Sequence, residues 1–594
     1  MSNNIDTNQT IYSLKSSLPT FTHINEIEHA LGTRFKDFAF TRLRDIPHPK
    51  ELYNNMEASL LVCESMLRGD KIVIVGDYDT DGICATCIML DFFEQLSYTN
   101  IFYAIPNRFK HGYGFSKKLF HEILSNHPDV RVIITVDNGV SSFEAGDLCR
   151  EHNIHFIITD HHTLEVDSNQ NPKIPACDFL INPQQKHCNF PYKDICGSLV
   201  AFYFCCAIKI NMQMLTQDTE TNHKYKIDTD ISKIDMHPLL LLVGIAIIAD
   251  VMPLNAINHT ICGYTIRRFK QSKRCAFKIF KEFSSSNINS QTLGFIFIPL
   301  LNSAGRIDDG NIALSFLRAT SLDSAKFYFN KLQELNKKRK NLQEEATKQV
   351  YNAIKQRKQN ENMLCAVGND WHEGVLGIIA GKMADEFKKP CFVLTNINGV
   401  CKGSGRSYGN VDLIASMQRI GHLMKRYGGH VGAVGLEIEY CNIESFVNDF
   451  KPILYEGEKK ESIISILQPH LITYNLLECI NNFEPYGNGN PLPKFFIEMP
   501  IISTHKTERG YIEFTLQSKK RSIKAMLYDT KYAHRDFTSG DILQFSATIG
   551  VDSHYKNKAK RQNYKHSTKY FHIYREKSVM LIIDKIYGLQ DNPI

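Results

Sequence analysis

The sequence predicts a multidomain α/β protein that ends in a separate small β-barrel. Three observations carry this expectation. Short apolar, β-rich runs alternate with helical segments from Ile72 to Pro183; a long charged helix with one apolar stripe begins after Thr320; five short strands with polar turns follow "FEPYGNGNPLPK".

The elements follow in order. "KIVIVGD", "NIFYAIP", "VRVIITVD", "IHFIITD" and "DFLINP" read as buried strands, because they are apolar on both faces. "ICATCIMLDFFEQL" and "SSFEAGDLCREHN" between them have helical spacing, giving the βαβ rhythm of a parallel, doubly wound sheet. A mostly helical section runs to about Thr320 and includes the apolar helix that closes on "IIADVMP". Next, Ala325, Phe329, Leu332, Leu335, Leu342, Ala346, Val350 and Ile354 form one stripe in a charged background free of Gly and Pro. About 38 residues rising 1.5 Å each span almost 60 Å, enough for a connector between domains. "MLCAVGND" to "GLEIEY" reads as a second, glycine-rich α/β unit, and the five terminal strands fit a barrel such as an OB-fold. The expected boundaries are 1–320 for the first domain (core 70–260), 321–362 for the connector, 363–462 for the second domain and 463–594 for the barrel.

A chain of 594 residues exceeds what one core supports, and 69 basic against 63 acidic residues leave +6, so contacts with nucleic acid must come from local patches. The N-terminus has no basic stretch leading into an apolar one, and "LLLLVGIAII" is shorter than the roughly 20 residues of a membrane span. The 16 cysteines are scattered or sit in apolar runs, which suits reduced core residues in a cytoplasmic protein. Cys84 and Cys87 form one CxxC without a second pair, weak grounds for zinc.

Acidic residues gather where strands end. Asp77, Asp79 and Asp81 follow the first strand, Asp137 ends "VRVIITVD", and Asp160, His161 and His162 end "IHFIITD". Carboxyl ends of parallel strands share one crevice, the ligand position of such sheets. Asp250 closes the long apolar helix and needs a partner. Clustered carboxylates repel one another unless a cation sits among them, and oxygen ligands with one or two imidazoles suit Mn²⁺, Mg²⁺ or Fe²⁺. An Asp shared by two ions about 3.5–4 Å apart would activate water for a phosphoryl displacement.

"DYDTDG", "VDNG", "TDHH" and "ADVMPL", in that order, resemble the four signature motifs of the DHH phosphoesterase superfamily. With "NRFKHGYG", "LNSAGRI", "GSGRS" and "GGHVGAVG", the chain from Ile72 onward resembles the RecJ family of single-strand-specific exonucleases. Thr80, Ser303 and Val434 replace alanines common in the family; no ligand or charge is lost. The resemblance implies a DHH-type parallel-sheet domain, a DHH-associated domain and an OB-fold. It implies two Mn²⁺ or Mg²⁺ ions held by Asp79, Asp81, Asp137, His161 and Asp250, with Asp137 bridging and with Asp77 and His162 close by. Spacing leaves open which of Asp77, Asp79 and Asp81 ligate; the family's D-x-D pattern favours the latter two.

"GSGRS" offers amides and Ser404, Arg406 and Ser407 as a nest for phosphate, and Arg108 and Arg306 sit in further glycine-bearing loops. The resemblance places Arg108, Arg306, Ser404 and Arg406 around a 5′-terminal phosphate and His430 facing the substrate. It implies 5′→3′ release of mononucleotides from single-stranded DNA, in repair and recombination. A helicase and a single-strand-binding protein are the partners implied, and a monomer is expected. The segment His554–Lys577 interleaves Lys and Arg with Tyr555, Tyr564, Tyr570, Phe571 and Tyr574, a composition that grips phosphates and stacks on bases. Two other readings compete: a DHH phosphoesterase acting on short oligonucleotides, cyclic dinucleotides or pyrophosphate, and a non-catalytic scaffold. The basic barrel disfavours the first and the full set of acids the second.

Overall fold

In the computed structural model, which describes residues 12–34, 42–167, 171–217, 230–284, 288–356, 360–455, 463–508, 510–519, 521–551 and 579–590, the apolar runs form the expected strands. The chain divides into two compact units, residues 42–459 and residues 1–41 with 460–594.

The larger unit opens on a five-stranded parallel sheet. Its strands are β1 (Lys71–Val75), β2 (Ile101–Ala104), β3 (Val130–Val136), β4 (His155–Thr159) and β5 (Phe179–Ile181), in the order β2-β1-β3-β4-β5. Alternate residues of β1 enter opposite cores: Ile72 and Ile74 pack towards the helices α1 (Thr80–Gln95), α2 (Gly197–Gln217) and α3 (His237–Ala249), and Val73 and Val75 towards Phe115, Leu119 and Phe156. The sheet is therefore covered on both faces. The strand order reverses between β1 and β3, so the crevice for a ligand opens beyond Val75 and Val136.

Helix α3 is apolar all round, and Leu239 to Ile247 are buried. Among the described residues one helix, Gly197–Thr216 within α2, is long and apolar enough to cross a membrane, a feature that the "LLLLVGIAII" run does not reveal. It packs against α1, α3 and the helix Asn55–Arg68, as a core helix does. None of the 16 cysteines is in a disulfide, and Cys441 is the one that is exposed. Cys87 lies against Asp91 and Arg274, a polar pin between helices with no second cysteine pair.

After helix α4 (Ile298–Ile307), the striped segment forms α5 (Leu322–Gln356), a single helix of 35 residues. Its first half packs on α4, and its second half packs on β6 (Leu364–Asn369) and α6 (Glu373–Phe387). A second sheet follows, with β7 (Cys391–Ile397), β8 (Val400–Arg406), β9 (Met424–His430) and β10 (Ala433–Glu439) in the order β9-β10-β8-β7-β6. Only the β6–β7 pair is parallel.

The smaller unit contains β11 (Lys494–Lys506), β12 (Ile512–Ser518), β13 (Arg521–Leu527), β14 (Ile542–Val551) and β15 (Val579–Gln590). These are the five terminal strands read from sequence, and pairing of β11 with β14 closes them into a barrel. The expected first domain needs one correction at its start. Thr20–Phe21 pairs in parallel with Ile466–Leu467, and Ile27 and Leu31 enter the barrel-side core, so the N-terminal segment belongs with the C-terminal unit. The basic aromatic segment 554–577 lies outside the described residues.

The turn from β1 into α1 tolerates no side chain at Gly82, where a Cβ would stand 2.5 Å from the Asp77 amide nitrogen and 2.6 Å from its Cα. Gly82→Ala should therefore lose about 1–3 kcal/mol of stability. Denaturant melts of the two proteins check this; an unchanged midpoint would show that the turn yields freely.

Candidate metal and phosphate site

The turn after β1 is built by a capping carboxylate. Asp79 is the N-cap of α1, and its Oδ1 accepts hydrogen bonds from the amides of Asp81 (3.0 Å) and Gly82 (3.2 Å). Asp81 is buried and aimed at a second helix N-terminus, where its two oxygens accept from the amides of Gly197 and Ser198 at 2.8 Å each. Thr80 donates through its amide and its hydroxyl to Asn302 Oδ1 at 2.9 Å, so the hydroxyl that departs from the family pattern is used. Ser303, the second departure, donates to the Leu300 carbonyl at 2.6 Å.

At the end of β3, Asp137 adopts the left-handed conformation (φ 60°), which Asp tolerates better than most residues. Asn138 ties the two strand ends together by donating to the carbonyls of Val75 (3.1 Å) and Val136 (2.9 Å). A Cβ on Gly197 would stand 2.3 Å from Asp137 Oδ1, so α2 approaches this carboxylate as only glycine allows.

His161 Nε2 lies 3.2 Å from Asp137 Oδ1, 3.6 Å from Asp250 Oδ2 and 3.9 Å from Asp81 Oδ2. Asp81, His161 and Asp250 form one group with metal-ligand spacing, and Asp77, Asp79 and Asp137 form another. Buried oxygens of Asp77 and Asp137 have no hydrogen-bond partner. Burial, and then the neighbouring Asp81, holds Asp137 well above the ordinary carboxylate range. Burial and Asp79 push Asp77 to about 8; burial and Asp81 do the same for Asp250. Burial, then the charged His162 beside it, lowers His161 and leaves its nitrogen free to donate a lone pair. Orphaned buried oxygens around a neutral imidazole fit divalent cations.

Asp160 plays a different part, and sequence reading did not separate it from its neighbours. Its Oδ1 accepts from the His161 amide (2.7 Å) and binds His162 Nδ1 (2.7 Å), and its Oδ2 accepts from the Val140 amide (3.0 Å). Burial disfavours a charged His162, but Asp160 outweighs it and holds this histidine at about 9. The cation points its Nε2 at Tyr113 Oη, 3.2 Å away, and stacks on His430, with ring centres 5.3 Å apart and planes 19° from parallel.

The arginines gather beside the acids. Arg108 lies over the Tyr78 ring at 4.4 Å, and Arg306 donates to the Gly374 carbonyl at 3.2 Å. Burial, then Arg108 and Arg406, lowers Arg306 to about 10. Burial and Arg108 likewise lower Arg406. "GSGRS" is not the nest its composition suggests. Gly403 to Arg406 belong to β8, whose amides face two neighbouring strands, and a Cβ on Gly403 would meet the Val393 carbonyl at 2.1 Å. The glycines serve sheet packing, and the site takes side chains of one strand face instead: Ser404 Oγ and Arg406 both point at Gly377 of α6. Ser407 turns away, its hydroxyl donating to the Val411 carbonyl at 2.6 Å.

Sequence reading missed Arg339. It fills the gap in the α5 stripe, is 9% exposed, and is held by Asn336 and Gln343, with no carboxylate paired to it among the described residues. Its charge adds to those depressing Arg306. The break between Leu335 and Leu342 was the available signal.

Raised carboxyl pKa values have a stability consequence. The folded, metal-free protein keeps protons that the unfolded chain releases above about pH 4, so its stability falls as pH rises towards about 8. Added Mn²⁺ replaces those protons, so its stabilising effect should grow across the same window. Thermal melts with Mn²⁺ and with chelator at pH 5, 6.5 and 8 measure it; a shift independent of pH would contradict protonated acids.

Comparison with known proteins adds to this geometry. The DHH family N-terminal domain model matches residues 71–234, the DHHA1 domain model residues 360–456 and the RecJ OB domain model residues 465–565. The single-stranded-DNA-specific exonuclease RecJ of Escherichia coli is 30% identical over 75% of this chain and 78% of its own length. Its namesake from Haemophilus influenzae is 28% identical over 86% and 88%. The crystal structure of RecJ from Thermus thermophilus in complex with Mn²⁺ superposes with a TM-score of 0.67 at 19% identity, covering 90% of this chain and 72% of that one.

Proposed function

The chain belongs to the RecJ family of DHH exonucleases, and from that premise we propose that it degrades single-stranded DNA from the 5′ end, releasing 5′-mononucleotides. One observation carries the reading: arginines that crowd one another stand in the same unit as two groups of acids with metal-ligand spacing, one of which holds two orphaned oxygens.

Asp81, His161 and Asp250 would hold one Mn²⁺ or Mg²⁺ and Asp77, Asp79 and Asp137 a second, with Asp137 Oδ1 of the second group 3.2 Å from His161 Nε2 of the first. Asp77 thus joins the ligands that the family resemblance implies. Such ions supply a water acidified to near neutral pH and a clamp on both oxygens of the displacement. The protein groups do the rest. Asp160 keeps His162 protonated and aimed, and that cation faces the charge that grows on the scissile phosphate. Arg108, Arg306, Arg406 and Ser404 receive the terminal phosphate, and Arg339 adds positive potential from behind. A phosphate fixed there at a set distance from the acids would place the next phosphodiester at the water, so each cut removes one nucleotide. His430, stacked on His162, closes the substrate side.

Work on DNA ends in repair and recombination, in the cytoplasm, as a monomer with a helicase and a single-strand-binding protein, follows from substrate and family. The test incubates the protein with Mn²⁺ and 5′-labelled single-stranded DNA, with blunt duplex as control. Labelled mononucleotide from the single strand supports the reading. Intact strand, with hydrolysis of dinucleotides alone, would transfer the chain to the small-substrate phosphoesterases.

A further inference from the structure

Beside Asp250 the surface carries an apolar lip. Helix α4 is entered through a π-helical turn, Leu293–Phe297, whose ends are buried while Phe295 is 80% exposed and Ile296 is 38% exposed. Phe297 anchors the turn in an aromatic cluster, 4.5 Å from Phe280 and 5.8 Å from Phe269 between ring centres. The turn also rests on the last turn of α3, since a Cβ on Gly294 would lie 3.5 Å from Ile248 Cγ2. Two residues on from Ile248 is Asp250. The next residue, Val251, is 64% exposed and has φ 54°, a costly conformation for a β-branched side chain. π-Helical turns and left-handed β-branched residues are kept mostly at functional sites, and here the π turn rests on the helix whose end leads into Asp250 and Val251.

Phe295 also belongs to a line of sites already described. Asn302, which holds Thr80, and Arg306, of the phosphate pocket, lie further along the same continuous helical segment, on α4. Eleven residues at no more than 1.5 Å each place Phe295 roughly 15 Å from Arg306 along the axis, a reach of four or five nucleotides stacked about 3.4 Å apart. A strand pinned at Arg306 offers unpaired bases, and an exposed phenyl ring with apolar flanks is the platform on which such bases stack.

We propose that Phe295, with the exposed Ile296 next to it in the chain, forms a stacking subsite for a nucleobase of the single strand, four or five positions from its terminal phosphate. The proposal rests on the exonuclease reading above. Duplex DNA cannot use the subsite, because its bases are already stacked and paired, so the ring adds to single-strand preference.

The test compares full-length Phe295→Ala and Phe295→Trp with the parent, on a 5′-phosphorylated oligonucleotide and on the same strand lacking bases at positions four and five. Phe295→Ala should raise KM about tenfold with kcat and melting temperature unchanged, and Phe295→Trp should restore it. The base-free strand should bring the parent to the Phe295→Ala level and leave that variant unaffected. An equal loss on both strands, or parental KM for Phe295→Ala, would overturn the subsite. Binding of the same two strands in an Asp137→Ala background separates this from failure of the exonuclease reading, because stacking is then read without hydrolysis.

Discussion

Replacing Asp137 by alanine will lower nucleotide release about a thousandfold or more, while the metal-free protein becomes more stable. Both effects have one cause. Asp137 contributes a buried oxygen without a hydrogen-bond partner, and four acids face it: Asp81, Asp79, Asp250 and Asp77. Without a cation, that carboxylate is a repulsive burden, and its removal relieves its neighbours. As a member of one ligand group lying 3.2 Å from His161 of the other, it would help to hold the ions, and losing it removes several kcal/mol of transition-state stabilisation, at about 1.4 kcal/mol for each tenfold in rate. Asp137→Asn is the sharper control, since it keeps the shape and discards the charge. Single-turnover rates with Mn²⁺ and melts in chelator measure the two effects. Activity near the parental level in either variant would remove Asp137 from the mechanism. Loss of activity together with a lower chelator melt would make its role structural.

That opposition of stability and function explains what the sequence made legible. β1, β3 and β4 announce themselves through apolar runs, and Asp77, Asp137 and His161 follow each run at once, so a local pattern fixes both strand and site residue. Consistency between levels breaks only where the acids collect, the usual mark of a functional site. "GSGRS" misleads because glycine has two uses with the same spelling. It frees a loop, and it also lets a strand lie flush against Val393 and Phe392, as β8 does here. Pairing of Thr20 with Ile466 spans most of the chain, and no local pattern reports a partner so far away. Asp160 and Asp137 look alike as acids that end strands. Only the hydrogen bonds that saturate the first and spare the second tell the positioning residue from the proposed ligand.

Arg306→Met will cost about a hundredfold in kcat/KM on 5′-phosphorylated strands and only a few-fold on strands ending in a 5′-hydroxyl. The guanidinium is partly buried, touches a carbonyl rather than a carboxylate, and is lowered to about 10 by burial and by Arg108 and Arg406. Cations crowded in this way await an anion, and a terminal phosphate brings its charge into the gap they leave. Two charge-assisted hydrogen bonds from a guanidinium fork contribute about 3 kcal/mol, which is the hundredfold loss. A strand with no terminal phosphate never forms those bonds, so the substitution has little to remove. Methionine keeps the bulk of the stem and deletes the charge, which separates recognition from folding. In the double comparison, enzyme variant against substrate end, the losses should be strongly non-additive. Equal losses on both kinds of end would show that Arg306 holds an internal phosphate or the fold, and the strand's end would then have to be read elsewhere.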